Sequence, residues 1–249
     1  KPKVKIIGEF FSHLQEGDAS YRLPAWLIEE GAEPVVEPLT NWLDYLLWGK
    51  IQFTRERAFR ARVKSYALIV LLLVLKAVIR FNYTGFRFML GNIPDRLVHQ
   101  KRIARYAAPY YNIKLAGGEG HMEAGKHVYA MKKRQAHMVI SIKPFSCMPS
   151  TQSDGVQTKI SNDIAESLFV SVDTTGDAEV NIKSRILMKL HEAQKRANRE
   201  FEELIEKRGI DTARLKQLAR RVRPSKKLSL RPSGKYISTA AALVRRYSP

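Results

Sequence analysis

Four short apolar runs, each closed by a glycine, a proline or an Asp-Thr turn, constrain this chain more than any other feature. Residues 4–7 (Val-Lys-Ile-Ile) end in Gly8 and read as a first strand. Gly17-Asp18-Ala19-Ser20 follows, and Asp18 or Ser20 can cap a helix through about Glu30, where Gly31 ends it. Pro34-Val35-Val36-Glu37-Pro38 reads as a second strand, placed near a sheet edge by its bounding prolines. Strand, helix and strand within about 35 residues make a βαβ unit with a right-handed crossover. Residues 138–142 are the third strand and residues 168–172 the fourth.

Helical spacing fills the gaps. Leu39, Trp42, Leu43, Leu46 and Leu47 recur at helical intervals, and residues 54–81 continue the pattern. Asn92-Ile93-Pro94-Asp95 breaks it and starts a helix over 95–107. Gly117-Gly118-Glu119-Gly120 opens a helix over 121–135. Residues 156–166 read as helical and residues 180–207 as a long helix. Lys143-Pro144-Phe145-Ser146-Cys147-Met148-Pro149 reads as irregular, because it carries two prolines. The order predicts an α/β fold: a three-layer, mostly parallel sheet with a large helical insertion at about 39–107 and a basic C-terminal tail. The α/β domain spans 1–206, and 207–249 is the extension.

Composition narrows the classes. Of 249 residues, 45% are hydrophobic, which excludes a wholly disordered chain. Cys147 is the only cysteine, which excludes a disulfide-built fold. The chain opens Lys1-Pro2-Lys3-Val4 with neither Met nor a leader pattern, so a processed product or a piece of something longer is expected, in the cytoplasm. The apolar run over 67–75 lies between Lys64 and Lys76 and is too short to span a membrane, for which about 20 residues are needed. It reads as a buried core or interface helix, with a membrane-surface or partner-helix role as the alternative. The net charge of +19 is concentrated at the C-terminus. Arg220-Arg221-Val222-Arg223-Pro224-Ser225-Lys226-Lys227 has the composition of an exposed arm able to meet phosphates, acidic proteins or anionic lipid. A solvated or docked tail is the plainer reading, since no aromatics interleave with it.

In open parallel sheets ligands bind beyond the carboxyl ends of the strands, at a switch in strand order. That rule points to the loops after strands one, three and four, which carry Glu9, Cys147, Asp173, Thr174 and Asp177. A thiolate at Cys147 could ligate a soft metal or act as a nucleophile, although a lone cysteine is more often a small buried hydrophobe. Gly120-His121-Met122-Glu123-Ala124-Gly125-Lys126 fits G-x4-G-K, most of a phosphate-binding loop. His127 stands where a Ser or Thr would hold magnesium, so a glycine-rich helix start is the plainer reading. The six histidines are not spaced as a metal site, and no HExxH, GxSxG or CxxC is present. The six methionines read as core filler.

Four blocks together resemble a known family. They are Ile6-Ile7-Gly8-Glu9-Phe10-Phe11 with Glu16-Gly17-Asp18 and Tyr21-Arg22-Leu23; Gly118-Glu119-Gly120 leading to Gly125-Lys126; the Pro144-Phe145-Ser146-Cys147-Met148-Pro149 loop; and Phe169-Val170-Ser171-Val172-Asp173-Thr174-Thr175-Gly176-Asp177 with Asn181, Arg185 and Met188. They resemble the 2-hydroxyacyl-CoA dehydratase D-component family, and most of all the reductase-like portion of CoA-substrate-specific enzyme activases. The resemblance implies flavodoxin-like (Rossmann-like) domains around an iron–sulfur cluster shared with upstream cysteine-bearing α/β domains or a partner subunit. It implies that Cys147 supplies one ligand, that an ATP-hydrolysing activator delivers low-potential electrons, and that the substrate is an acyl-CoA. Glu9, Glu119 and Asp173 are the candidate acid/base or cluster-flanking positions, on loop placement and the matching blocks. The chain lacks the upstream ligand cysteines and the activator's ATP motifs, so it is expected to be a terminal portion or one subunit, with no ATP site of its own. Two rivals stand beside this: a non-enzymatic α/β scaffold whose basic arm binds nucleic acid or an acidic partner, and a nucleotide-binding enzyme using residues 120–126.

Overall fold

β1 (Lys3–Gly8), β2 (Glu33–Val36), β3 (Met138–Pro144) and β4 (Phe169–Thr174) form one sheet in the order β2-β1-β3-β4, every neighbouring pair parallel. The computed structural model describes residues 1–57, 62–115, 118–176, 178–209, 217, 220 and 236–247. The central strands β1 and β3 are buried along nearly their whole length, as parallel strands covered on both faces must be. β2 lies at an edge and is half-buried, in keeping with its prolines.

One face is covered by α2 (Leu23–Glu29) and α8 (Glu179–Arg208), which pack Leu23, Leu27, Ile182, Ile186 and Leu190 on Val4, Ile6 and Ile140. The other carries α6 (Gly120–Lys132), whose Ala130 and Met131 meet Ile7 and Val139. α7 (Met148–Asp163) lies beside α6 on that face. The three-layer α/β expectation is therefore met. Between β2 and β3 the insertion supplies α3 (Leu39–Arg57), α4 (Arg62–Met89) and α5 (Gln100–Ala107). The short α1 (Phe10–Leu14) follows β1 directly.

Several expectations need correcting. The Lys143–Pro149 stretch is not irregular throughout: β3 runs to Pro144, and α7 starts at Met148 with Pro149 in its first turn. Proline is tolerated there because the first-turn N–H groups have no helical acceptor. Helix α5 starts at Gln100, not Asp95. The carbonyls of Pro94, Asp95 and Leu97 instead accept hydrogen bonds from Arg87, Tyr83 and Arg80 of α4. The helix expected from Asp18 or Ser20 starts at Leu23, after a 3-10 turn over Asp18–Ser20, and Arg22 takes a left-handed φ of 51°. The apolar run at 67–75 is not buried: only Ile69 within it is, while Val70, Leu71 and Val74 are exposed. Half the methionines are core filler (Met122, Met131, Met138), but Met89, Met148 and Met188 face solvent.

Helix α8 ends at Gly209 in the left-handed conformation, a usual helix stop. The extension does not run free to its end. α9 (Thr239–Tyr247) packs Ala241, Leu243 and Val244 on Leu204, and Thr239 donates to Glu33 at 2.7 Å. The basic stretch 220–227, apart from Arg220, lies outside the described residues, as do Gly117 and Asp177. Among the described residues no helix is long and apolar enough to cross a membrane.

Candidate functional site

The reversal in strand order falls between β1 and β3, so the carboxyl ends of these two strands define the crevice. Gly8 makes the crevice possible. Its φ is 124°, and a Cβ there would sit 2.0 Å from the carbonyl oxygen of Ile142. Only glycine lets the two strand ends come this close and lets Glu9 N–H reach Ile142 O at 2.9 Å. Gly118 has a parallel role: at φ 52° a Cβ would sit 2.1 Å from Pro149 Cβ. That contact holds the loop bearing Glu119 against the first turn of α7. A third tie joins the loops after β1 and β4, where the Tyr21 hydroxyl donates to Thr175 O at 2.5 Å and accepts from Thr175 N–H.

Cys147 sits at the N-terminal cap of α7, half-buried. Its thiol donates to Ser150 Oγ at 3.5 Å, and Ser150 donates onward to Glu123 Oε1 at 3.1 Å. Ser153 donates to the other oxygen of Glu123. These contacts fix the loop because Ser150, Ser153 and Gln157 recur on one face of α7, and all three are buried. The unpaired N–H groups at the start of α7 favour negative charge at the same mouth.

The carboxylates divide by environment. Glu9 caps α1 by accepting from Ser12 N–H at 2.8 Å. Glu119 is 4% exposed and accepts from Trp42 Nε1 at 2.9 Å. Burial raises its pKa, the Glu9 charge raises it further, and the Trp42 bond opposes both. Glu123, fully buried, is pushed up to about 7, mainly by burial, with Glu119 adding to the rise. Asp173 is half-exposed and lies 3.5 Å from Lys143 Nζ, which also pairs with Asp154. Charge therefore runs through Glu9, Glu119, Glu123, Lys143 and Asp173, and Cys147 joins through Ser150.

Beside this crevice lies a second polar group. Lys5 meets Glu37 at 2.6 Å, and Lys126 meets it at 3.5 Å. Burial alone would raise the Glu37 pKa, but Lys126 and Lys5 outweigh it and hold the carboxyl well below the usual range. The G-x4-G-K segment is thus inside α6 rather than in a loop: Lys126 is engaged by Glu37, and a Cβ on Gly125 would sit 2.5 Å from Ile103 O. Gly125 serves close packing of α6 against Ile103 of α5.

Sequence reasoning missed Glu123, Ser150, Ser153 and His121. The 150/153/157 spacing was a usable signal for a polar helix face, hidden by treating two prolines as breakers. His121 is 2% exposed, lies edge-on to Tyr45 and Trp48 with ring centroids 5.1 and 5.2 Å away, and among the described residues neither ring nitrogen has a hydrogen-bond partner. Burial lowers its pKa to about 4.

An iron–sulfur cluster wants about four soft ligands. The described residues supply one thiol at this mouth, and among them no group of three or more His, Cys, Asp or Glu could hold a metal ion. One thiol falls short of the ligand set such a cluster needs. No family model, curated protein or solved structure matches the chain.

Proposed function

We propose that this chain is the C-terminal α/β portion, or one subunit, of an iron–sulfur protein of the 2-hydroxyacyl-CoA dehydratase or reductase type. Cys147 contributes one thiolate to a cluster whose other ligands come from upstream cysteine-bearing α/β domains or a partner chain. An ATP-hydrolysing activator supplies low-potential electrons, and an acyl-CoA is the substrate. The observation that carries this reading is the half-buried Cys147 at a helix N-terminus, at the mouth of the β1/β3 crevice. A thiol kept out of the hydrocarbon core can reach groups on another domain. The chain's own residues would tune such a thiolate through the Ser150 bond and through the nearby buried acids, as outer hydrogen bonds do for ligands generally.

The test is anaerobic iron–sulfur reconstitution with the upstream cysteine-bearing domains present. The Cys147→Ala variant should lose iron and the charge-transfer absorption of the cluster. Unchanged iron content and spectrum would remove the proposal.

The scaffold alternative, in which the basic segment binds nucleic acid or an acidic partner, has one observation in its favour. The elements that flank the segment in the chain, α8 and α9, pack on one another through Leu204, Leu243 and Val244. It predicts retention on nucleic acid that weakens steeply with added salt.

A further inference from the structure

Helix α4 is built inside out. Its mid-helix cations Lys76 and Arg80 turn inward, to 3.4 and 3.1 Å from the fully buried Asp44 of α3. Its hydrocarbon turns outward: Leu71 is 63% exposed and Phe81 79%. Between Tyr66 and Phe81 every exposed residue is uncharged. At the usual helical rise this uncharged strip is about 24 Å long. Eleven residues of the strip are exposed, two of them aromatic (Tyr66 and Phe81) and the rest Leu, Val and Ala, and together they present on the order of 1,000 Å² of hydrocarbon. The largest patch on an ordinary monomer is about 300–600 Å². A stable protein interface needs about 800 Å² per partner.

We infer that the outward face of α4 is the interface of a two-fold homodimer, in which the α3–α4 hairpins of two copies pack side by side. Two observations select a second copy over a lipid surface. Interfacial lipid helices keep Lys and Arg free for headgroups, whereas Lys76 and Arg80 are engaged by Asp44. A two-fold interface brings a patch against itself, so it must carry no like-charge conflict, and a strip without exposed charge meets that condition even in a chain of net charge +19. Two hairpins meeting this way form a four-helix packing of ordinary kind. The inference stands apart from Cys147, because none of the crevice residues lies on α4.

Sedimentation equilibrium of the full chain at micromolar concentration tests it. The expected mass is twice 28.5 kDa. Leu71→Glu with Val74→Glu should weaken association by roughly 100-fold or more and leave a folded 28.5 kDa monomer by circular dichroism. Val180→Glu, at a 77% exposed position on α8, should leave the dimer intact. A monomeric wild type overturns the inference, and its recovery with anionic phosphatidylserine vesicles would assign the face to lipid instead. Equal dissociation by Val180→Glu also overturns it. Should the double variant fail to fold, the wild-type mass decides alone.

Discussion

Glu37 and Glu123 are both buried carboxylates, one met by Lys126 of α6 and the other carried by α6 itself, and they are treated in opposite ways. Glu37 has two lysines within salt-bridge distance, a bond from Asn41, and a pKa held well below the usual range. Glu123 has two serine hydroxyls, a neighbouring acid in Glu119, and a pKa pushed up to about 7. The first environment neutralises a charge so that the sheet edge can bury it. The second leaves a proton exchangeable near neutral pH, two hydrogen bonds from the Cys147 thiol by way of Ser150. Compensated charge marks structure here, and uncompensated charge marks the crevice.

Removing the compensation should have the largest effect. Glu37→Ala leaves Lys126 buried without its counterion and Lys5 with Asp95 at 3.8 Å in place of the closer Glu37, and breaking a buried pair in this way costs about 3–5 kcal/mol. Urea unfolding at pH 7 would read it, and a loss of about 1 kcal/mol or less would break the comparison.

Glu123→Gln comes next and has the opposite sign. The folded pKa, about 7, lies above the ordinary 4.5, so the folded state keeps a proton that the unfolded chain gives up. This term favours the fold fully below pH 4.5 and is lost as pH rises to about 7. Over that window the loss is on the order of 3 kcal/mol. His121 and His127, both lowered to about 4 by burial, tilt the profile the other way: stability falls as pH drops below 6.5. The readout is therefore the difference between wild type and variant. Glu123→Gln should gain relative stability from pH 4.5 to 7, and a flat difference would place Glu123 among the compensated groups.

Gly118→Ala should cost about 2 kcal/mol, from a positive φ and a Cβ driven into Pro149. It should also raise the alkylation rate of Cys147 by loosening the first turn of α7. Cys147→Ala should be the mildest, below about 1 kcal/mol in thermal unfolding, since a half-buried thiol makes only a long bond to Ser150. A larger loss would make that sulfur structural.

The sheet was legible because its strands are apolar runs cut by residues with single meanings. Gly8 ends β1 where a side chain would collide with β3, and Pro34 and Pro38 belong at an edge. The crevice could be located from the strand-end rule, which brought out Glu9, Cys147 and Asp173. Glu123 was hidden because α6 is buried continuously over its first nine residues, leaving no polar face for periodicity to detect. Helix α4 misled for the opposite reason: an apolar run signals burial but not which surface buries it, and Asp44 draws its cations inward from a separate helix. The Ser150/Ser153 face is masked in the sequence because two nearby prolines read as irregular structure, whereas Pro149 occupies the turn where proline starts a helix.

Cys147 is the only cysteine in the chain, so its labelling can be read without ambiguity. The decisive measurement is iodoacetamide alkylation of Cys147, followed by mass spectrometry, in the isolated chain and after anaerobic cluster assembly with the upstream domains. The account predicts full labelling of the isolated chain and protection once the cluster forms. Equal labelling in both states, with the cluster spectrum intact, would contradict it.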